Sequence, residues 1–584
     1  MCGILGAVGK LPAEQKIKEA SGALAHRGPD DVGFYYSQKE SVALAHRRLS
    51  IIDLSSAGHQ PMASNDGRYW LVFNGEIYNY LEIREELATD YDFKTKTDSE
   101  VLLAAYIKWG ADCLQKFNGM FAFAIWDKRD KKLFCARDRM GVKPFFYSFN
   151  NGQLLFASEI KGLLALGVKA RADERTIFEY LNYGLYDHSD RTFFQGVNVL
   201  PSGCFAVWQN NDFKIQKYWD LADRTQNYSA LSGQEVVDQL GALLADAIKL
   251  RFRSDVPVGL NLSSGLDSNS LYYYAKQITG GNLDIFSMCL ASEEYNECGL
   301  IEQSLSSGNK KFWHTCYLEP AEVLAGAGQM NKIQDQPYGG IPTIAYESLV
   351  KLARDAKTTV LLEGQGVDEI LAGYSYYKRE LQNDAVGGKK AVDTLSYSQD
   401  MTKLINQDIL SADFAAEHEG EELVFPAPFD SHLLNAQYRD ICYTKLPRVL
   451  RFNDHITMRY GRELRLPFLD YRIVEFCFWL PAEHKIQNGS QKFALRQLMK
   501  GIIPDDVQGR QKKAFGAIQS EWFRQYFGQE IGDLLASDSF RARNFWNHKK
   551  LAEEVEKFFK GELDNSFFIW QCFNLELWFK EFID

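Results

Sequence analysis

No run of 18 or more consecutive apolar residues occurs in this 584-residue sequence, so it predicts no transmembrane helix and no membrane partner. The first ten residues, MCGILGAVGK, lack the charged segment that precedes the apolar stretch of a signal peptide. The 10 cysteines form no C-x-x-C pair and no zinc-type spacing, so we expect neither a disulfide framework nor a zinc site. These absences favour a soluble, cytoplasmic protein of a reducing compartment.

Basic residues are not in excess either, because the sequence has 66 lysines and arginines but 77 acidic residues, and its formal net charge is −11. A nucleic acid is therefore not expected as a partner, and the basic run RQKK (510–513) is interpreted as a solvated surface. The hydrophobic fraction of 46% is typical of a folded chain and excludes general disorder. The length favours two or three large domains.

Short β-type runs separated by Gly, Asn and Asp turn signals dominate residues 1–205. Two helical patterns interrupt these runs, near 81–89 and 98–109. This texture predicts an α+β layered domain. Residues 206–232 are polar and turn-rich, so we expect a strand there, followed by the connection between domains.

From residue 233 onward, strand-like apolar runs alternate with helical segments, which predicts a doubly wound α/β domain built on a parallel sheet. The chain beyond 435 has a mostly helical pattern and ends in FFIWQCFNLELWFKEF. Charges recur every few residues in this tail, so we expect a packing helix there. The second domain is accordingly expected over residues 233–584.

Cys2 directly follows Met1 and precedes Gly3. Removal of the initiator methionine would leave a thiol and a free α-amine on the same residue. An α-amine has a pKa of about 7.7–8.0, which suits a general base for a neighbouring thiol. A single cysteine is by default a buried structural residue, so this feature depends on the motifs that follow it.

Six motifs follow Cys2 in order, namely HRGPDD (26–31), AHRRLSIID (45–53), NGEIYN (74–79), TDSE (97–100), GMFAFAIWD (119–127) and RDRMGVKPFFY (137–147). Together they resemble the class II glutamine amidotransferase domain over nearly all of residues 1–205. The resemblance implies an Ntn-type fold of two antiparallel sheets with helices. It also implies Cys2 as the nucleophile, Asn74 and Gly75 as the oxyanion hole, and a glutamine pocket formed by Arg48, Leu49, Ser50, Ile51, Ile52, Asn74, Gly75, Glu76 and Asp98. In that pocket Arg48 would hold the α-carboxylate, while Glu76 and Asp98 would receive the α-ammonium.

The segment SSGLDS (263–268) follows the strand-like run VPVGLNL and opens a helical pattern. Small residues at such a turn allow backbone N–H groups to face an anion at the helix start. The segment contains no lysine, which excludes a Walker-type loop. It resembles the S-G-G-x-D-S loop of pyrophosphate-releasing ATP enzymes, with Ser264 in place of the usual glycine.

A second turn, EGQGVDEILAGY (363–374), follows the run TTVLL. Turns after parallel strands meet at the carboxyl edge of the sheet, where ligands bind. Asp267 and Asp368 would there offer the hard oxygen ligands that Mg²⁺ prefers. MRYGRELRLPFLD (458–470) and GRQKKAF (509–515) complete the pattern, and their Arg465 and Lys512 are predicted catalytic cations that stabilise the departing pyrophosphate or the developing intermediate.

Both halves together resemble the glutamine-hydrolysing asparagine synthetases along the whole chain. The resemblance implies that MgATP activates the side-chain carboxylate of aspartate as an adenylate and that ammonia from the Cys2 site crosses an internal tunnel to attack it. The products would be asparagine, AMP, pyrophosphate and glutamate, and a homodimer is compatible with this reading. The implied ATP-binding residues are Leu262, Ser263, Ser264, Gly265, Asp267, Ser268, Met288, Glu363 and Gly364, and Gln365 and Glu369 are expected at the adenylate and ammonia step.

One departure from that family concerns the acceptor. The usual turn reads S-G-E-G-x-D-E, whereas this chain has E-G-Q-G-V-D-E, so Gln365 replaces an acidic residue. A neutral amide cannot serve as a base. Either another group such as Glu363 takes the role, or the acceptor is a different carboxylate, for example of a sugar acid or a specialised metabolite. A catalytically idle homologue is the third alternative.

Overall fold

The computed structural model describes residues 1–290, 297–305, 308–386, 407–418, 423–505, 507 and 516–584. The first part of the chain forms two six-stranded antiparallel sheets. Their strands are β1 (Cys2–Val8), β2 (Asp31–Ser37), β3 (Val42–Arg48), β4 (Met62–Ala63), β5 (Tyr69–Ile77), β6 (Gly119–Asp127), β7 (Lys132–Arg137), β8 (Phe146–Asn150), β9 (Gln153–Ala157), β10 (Asn198–Val199), β11 (Cys204–Gln209) and β12 (Asp212–Lys217).

The two sheets have the strand orders β10-β8-β9-β1-β3-β2 and β12-β11-β7-β6-β5-β4. β1 is buried along its whole length because it lies at the centre of its sheet, which explains its continuous apolar sequence. Its pairing with β3 places Cys2 opposite Arg48. The predicted layered fold of two antiparallel sheets with helices is confirmed.

Helices of the first part cover the outer faces of the sheets. They are α1 (Glu14–Ala23), α2 (Tyr80–Leu87), α3 (Asp98–Trp109), α4 (Cys113–Lys116), α5 (Ile160–Leu166) and α6 (Glu174–Tyr183). The two predicted helices correspond to α2 and α3, and Thr97 caps α3 by accepting a hydrogen bond from the Glu100 N–H. The domain boundary placed at residue 205 is wrong, because β11 crosses that point and pairs with β7, while β12 pairs with β11.

A five-stranded parallel sheet forms the centre of the second part, as predicted. Its strands are β13 (Val258–Asn261), β14 (Ile285–Leu290), β15 (Trp313–Leu318), β16 (Val360–Leu362) and β17 (Glu463–Arg465), in the order β15-β14-β13-β16-β17. β18 (Ile486–Gln487) and β19 (Ser490–Gln491) form a separate hairpin. β13 and β16 are adjacent, so the turns that follow them meet at one edge of the sheet.

Helices surround this sheet and form the C-terminal part. They are α7 (Gly233–Arg251), α8 (Leu266–Thr279), α9 (Cys298–Ser304), α10 (Pro320–Gln334), α11 (Gly340–Asp355), α12 (Val367–Ile370), α13 (Tyr377–Val386), α14 (Ala412–His418), α15 (His432–Cys442), α16 (Lys445–Arg459), α17 (Tyr471–Trp479), α18 (Ala482–Lys485), α19 (Phe493–Met499), α20 (Gly516–Tyr526), α21 (Gly528–Ala536), α22 (Asp538–Arg541), α23 (His548–Phe559) and α24 (Ser566–Phe582). The aromatic tail is α24, which packs in the core as predicted. Within the described ranges, none of the helices has both the length and the apolar character of a membrane span.

One cysteine pair differs from the sequence prediction. Cys289 at the end of β14 and Cys298 at the start of α9 form a disulfide with their Cα atoms 5.7 Å apart. This Cα separation is ordinary for a disulfide. A spacing of nine residues carries no sequence signal for pairing, so only the way β14 and α9 pack reveals it.

Candidate active sites

Cys2 lies at the start of β1 with 8% of its surface exposed. Its backbone N–H donates to Asn74 Oδ1 at 3.0 Å, and its carbonyl oxygen accepts from Arg27 Nε at 3.1 Å. Burial raises the pKa of the thiol, while the N-terminal amine and Arg48 act to lower it. A thiol in this environment needs a nearby base to become a nucleophile.

Asn74 and Gly75 stand beside Cys2 on β5. The Asn74 Nδ2 atom is buried and has no hydrogen-bond partner among the residues that the structure describes. A Cβ at Gly75 would overlap the carbonyl oxygen of Met120, so glycine is required there. A donor left without a partner next to a thiol fits stabilisation of an oxyanion.

Arg48 organises the loop behind β3. Its guanidinium donates to the carbonyl oxygens of Ser55 at 2.7 Å and Asp53 at 2.5 Å. Leu49, Ser50, Ile51 and Ile52 follow along this loop, and an open groove of about 1310 Å³ is lined by Arg48, Leu49 and Ser50 and by residues of the second domain. Arg48, Leu49 and Ser50 therefore border one groove between the two domains, whereas Ile51 and Ile52 are buried and do not line it.

Glu76 and Asp98, the two carboxylates predicted for the glutamine pocket, are both buried. Asp98 Oδ2 accepts from the Ile77 N–H at 3.0 Å, and burial raises the Asp98 pKa to about 6. Burial raises the pKa of Glu76 as well, and the nearby charges of Glu463 and Asp98 add to that effect. Carboxylates held in this state gain stability from a cation, so the pair suits an ammonium group.

The segment 263–268 forms a turn between β13 and α8 that its own hydroxyl groups hold together. Ser263 and Ser268 hydroxyls lie 2.9 Å apart, and the Gly265 N–H donates to Ser263 Oγ. Ser264 Oγ donates to Glu297 Oε2 at 2.6 Å, so the hydroxymethyl group that departs from the usual glycine turns away to α9. Leu262 is buried beside this turn, and Met288 lies on the neighbouring strand β14.

Asp267 and Asp368 face each other across the two turns, as predicted. Lys492 Nζ bridges them at 2.7 Å from Asp267 Oδ2 and 2.6 Å from Asp368 Oδ1. A Cβ at Gly364 would lie 3.1 Å from the Asp267 Cβ, which shows how closely the two turns approach. Lys492 was missed in the sequence, because it is 225 residues from Asp267 and precedes a short helix without any motif.

Glu363 and Glu369 lie on opposite sides of the second turn. Glu363 Oε2 accepts from Tyr346 Oη and Asn453 Nδ2, each at 3.2 Å. Glu369 Oε1 accepts from the Tyr374 hydroxyl at 2.7 Å. Burial raises the pKa of both glutamates to about 7.

The Arg465 side chain does not join Asp267 and Asp368 at the carboxyl edge of the parallel sheet. Its Nε contacts Glu463 Oε1 at 2.5 Å, its Nη1 donates to the carbonyl oxygens of Arg251 and Arg253, and its Nη2 is 3.6 Å from Glu76. These partners hold the guanidinium in the domain interface, and its role at the departing pyrophosphate or the developing intermediate stays a prediction. Lys512, the other predicted cation, lies outside the described residues.

The interface also contains the N-terminus and a small cavity. The Met1 α-ammonium lies 3.1 Å from Glu463 Oε2, and the Met1 side chain is buried in a core shared by both domains. A cavity of about 20 Å³ is lined by Met120 on one side and Leu469 on the other. A Cβ at Gly366 would overlap Leu469, so this cavity borders the second turn.

Arg27 connects Cys2 to the second domain. Its guanidinium is fully buried and contacts Glu159 at 2.7 Å and Asp454 at 2.9 Å, in addition to the Cys2 carbonyl oxygen. Lys143 also pairs with Asp454, at 3.1 Å. A helix of the second domain thus helps to position the residue that carries Cys2.

Replacing Asp454 with asparagine should destabilise this network. Two buried cations would lose charge compensation, so we expect the free energy of unfolding to fall by about 3 kcal/mol. Chemical denaturation measures this change. Asp355→Asn, which removes an exposed pair with Arg354, should change the stability little. Equal stability of Asp454→Asn and wild type would contradict a structural role for the Asp454 carboxylate.

Two family models match the chain. Residues 1–219 match the glutamine amidotransferase domain, and residues 239–580 match asparagine synthase. The first match ends just after β12, in agreement with the observed extent of the first domain.

Curated relatives resemble the chain along most of its length. It is 28% identical to asparagine synthetase [glutamine-hydrolyzing] 1 of Bacillus subtilis, covering 99% of this chain and 96% of that protein. It is 35% identical to putative asparagine synthetase [glutamine-hydrolyzing] 2 of Methanocaldococcus jannaschii, covering 64% of this chain and 76% of that protein. It is 26% identical to the amidase chyE of Penicillium rubens, covering 93% of this chain and 91% of that protein.

Proposed function

Because the chain belongs to the asparagine synthase family and is a glutamine-hydrolysing ligase, we propose that it transfers glutamine-derived ammonia to aspartate and forms asparagine with release of AMP and pyrophosphate. The juxtaposition of Asp267, Asp368 and Lys492 at the meeting turns of β13 and β16 carries the ATP half of this proposal. The environment of Cys2 carries the glutamine half.

The first reaction takes place at Cys2. Met1 is removed, and the freed α-amine of Cys2 takes the proton of the thiol. The thiolate attacks the side-chain amide carbon of glutamine, whose α-carboxylate is bound by Arg48. The Asn74 amide and the Gly75 N–H stabilise the oxyanion of the tetrahedral intermediate. As this intermediate collapses, the C–N bond breaks, the nitrogen takes the proton back from the Cys2 α-ammonium, and ammonia leaves, so that a thioester remains on Cys2. Water then hydrolyses the thioester to glutamate.

Ammonia crosses the interface between the domains. The cavity between Met120 and Leu469 supports this route, because its volume suits one water-sized molecule. Met120 touches the Gly75 side of the interface and Leu469 touches Gly366 in the second turn. Removal of Met1 clears further space beside Glu463, where its amine now lies.

The second reaction activates the acceptor. An oxygen of the acceptor carboxylate attacks the α-phosphorus of ATP, and pyrophosphate leaves. The 263–268 turn and the start of α8 direct backbone N–H groups to the phosphates. Lys492 lies where a cation stabilises the departing charge, so it suits the role predicted for Arg465.

Mg²⁺ fits the two aspartates. Asp267 and Asp368 supply carboxylate oxygens, the donors this ion prefers, and Lys492 already balances their charge in its place. When bound, the ion supplies charge neutralisation for the phosphates.

A different carboxylate is the second candidate acceptor. Relative to the usual S-G-E-G turn, Glu363 stands in place of serine and Gln365 in place of glutamate, and both changes alter the edge of the acceptor site. The chain is also similar to chyE, a protein named an amidase rather than an asparagine synthetase. Under this candidate the reaction is the same and only the acceptor changes.

One assay separates the two candidates. Purified protein is incubated with glutamine, MgATP and aspartate while glutamate, asparagine, AMP and pyrophosphate are measured together. Equal amounts of asparagine and AMP would establish aspartate as the acceptor. Glutamate without asparagine or AMP would reject aspartate and leave a working glutaminase to be tested with sugar acids.

Glutamine affinity should depend on pH through Asp98. Its pKa of about 6 means that the carboxylate is ionised above pH 6 and protonated below it, so the α-ammonium loses a partner on acidification. We expect KM for glutamine to rise about tenfold per pH unit below 6. Initial rates between pH 5 and 8 measure this change. Asp98→Asn should show a high KM that no longer varies, and an invariant KM in wild type would contradict the role of Asp98.

A further inference from the structure

Glu363 is the first residue after β16, at the carboxyl edge of the parallel sheet. Its backbone N–H donates to the carbonyl oxygen of Arg465 at 3.1 Å, which continues the pairing of β16 with β17 and fixes the residue in place. The half-buried side chain then lies between the first turn and two helices, α11 and α16. This position borders the proposed ATP site.

The groups around the Glu363 carboxylate are neutral. Tyr346 Oη and Asn453 Nδ2 each donate to it at 3.2 Å. Asp267 and Asp368, at the same edge of the sheet, are instead paired with Lys492. Burial without a cationic partner therefore leaves Glu363 with a pKa of about 7, able both to take and to return a proton.

Amide formation requires such a group. Ammonia carries three hydrogens, whereas the amide product keeps two, so one proton must leave the nitrogen as it bonds to the acyl carbon. The Gln365 amide cannot accept it. The aspartates are committed to Lys492, and Glu369 faces Tyr374. Glu363 stands in the same turn as Gln365 and next to Gly364, where a Cβ would lie 3.1 Å from the Asp267 Cβ, so Glu363 lies at the edge where the two turns meet.

We propose that Glu363 is the proton acceptor of the amide-forming step. The ammonia nitrogen forms a bond to the acyl carbon, the bond from that carbon to the AMP oxygen breaks, and AMP leaves with the electron pair. The proton released from nitrogen passes to a Glu363 carboxylate oxygen and from there to solvent. This inference rests on the proposed function, because it presupposes an acyl-adenylate.

Three variants test it with ammonium as nitrogen donor and aspartate as acceptor. Glu363→Gln keeps the shape of the side chain but cannot take a proton, so amide formation should fall at least about 100-fold. ATP–pyrophosphate exchange, which precedes the proton transfer, should fall less than tenfold. The double variant Glu363→Gln with Gln365→Glu returns a carboxylate to the pair and should recover a tenth or more of the wild-type rate. Gln365→Glu alone is the matched control with two carboxylates.

Different outcomes overturn different statements. Equal losses of exchange and amide formation in Glu363→Gln would place Glu363 in adenylate formation and overturn the inference. Amide formation close to wild type in that variant, or no recovery in the double variant, would overturn it as well. Absence of exchange in the wild-type protein with aspartate would instead reject aspartate as acceptor.

A measurement without any acceptor then decides the inference. Infrared difference spectra of wild type minus Glu363→Gln, recorded from pH 5 to 9, should show one protonated carboxyl band that disappears with a midpoint near pH 7. Such a band supports Glu363 as a group that exchanges protons at neutral pH. A carboxylate that stays ionised throughout this range would overturn the proposal.

Discussion

Cys2→Ala should abolish glutamine-dependent product formation and spare synthesis from added ammonium. Alanine removes the nucleophile, so glutamine hydrolysis should fall by about 10⁴-fold or more. The second site receives ammonia from solution in this assay, and its turns around Asp267 and Asp368 do not contact Cys2. Amide formation at saturating ammonium should therefore remain within about twofold of wild type.

The control for Cys2→Ala is another cysteine variant. Cys316→Ala removes a partly buried thiol from β15, in the second domain, and should leave hydrolysis of glutamine intact. Glutamate and asparagine are measured in both variants. Loss of the ammonium-dependent reaction in Cys2→Ala would contradict independent sites, because Arg27 would then transmit the change at Cys2 to α16 and the second domain.

Asp267→Asn and Asp368→Asn should each stop adenylation while glutamine hydrolysis continues. Each change removes one charge from the pair that faces Lys492 and one preferred ligand of Mg²⁺. We expect ATP–pyrophosphate exchange to fall at least about 100-fold, as for the loss of a group that stabilises transition-state charge. Glutamate release measures the first site in the same samples.

Asp284→Asn is the matched control for these two variants. Asp284 precedes β14 at the opposite, amino edge of the same sheet, where it contacts His314 and Thr358. This substitution has the same chemistry without reaching the meeting turns, so exchange should persist. Normal pyrophosphate release by Asp267→Asn or Asp368→Asn would contradict their assigned role with the phosphates.

Much of the fold followed from local patterns. The helical pattern near 98–109 and the alternation of strands and helices after residue 233 are short-range signals, and both predicted the observed elements. Local patterns also placed the domain boundary too early, at residue 205. The strand β12 is polar, so in the sequence it resembles a connecting segment, and only its pairing with β11 shows that it belongs to the first domain. The pairing of Cys289 with Cys298 was missed for lack of any local signal.

The sequence by itself determined the residues whose chemistry belongs to one contiguous segment. Cys2 and the turns at 263–268 and 363–369 are of this type, because a turn after a strand brings its own small and acidic residues together. The presence of Gln365 where the usual turn has an acidic residue was also visible from the sequence alone.

Only the tertiary structure decided the contacts between distant segments. Lys492 reaches Asp267 across 225 residues, Arg465 points into the interface, and Asn453 and Asp454 on one helix contact Glu363 and Arg27. These arrangements depend on how helices and sheets pack, which no single segment encodes. The neutral surroundings of Glu363 arise in the same way, from side chains of α11 and α16 that meet only in the folded protein.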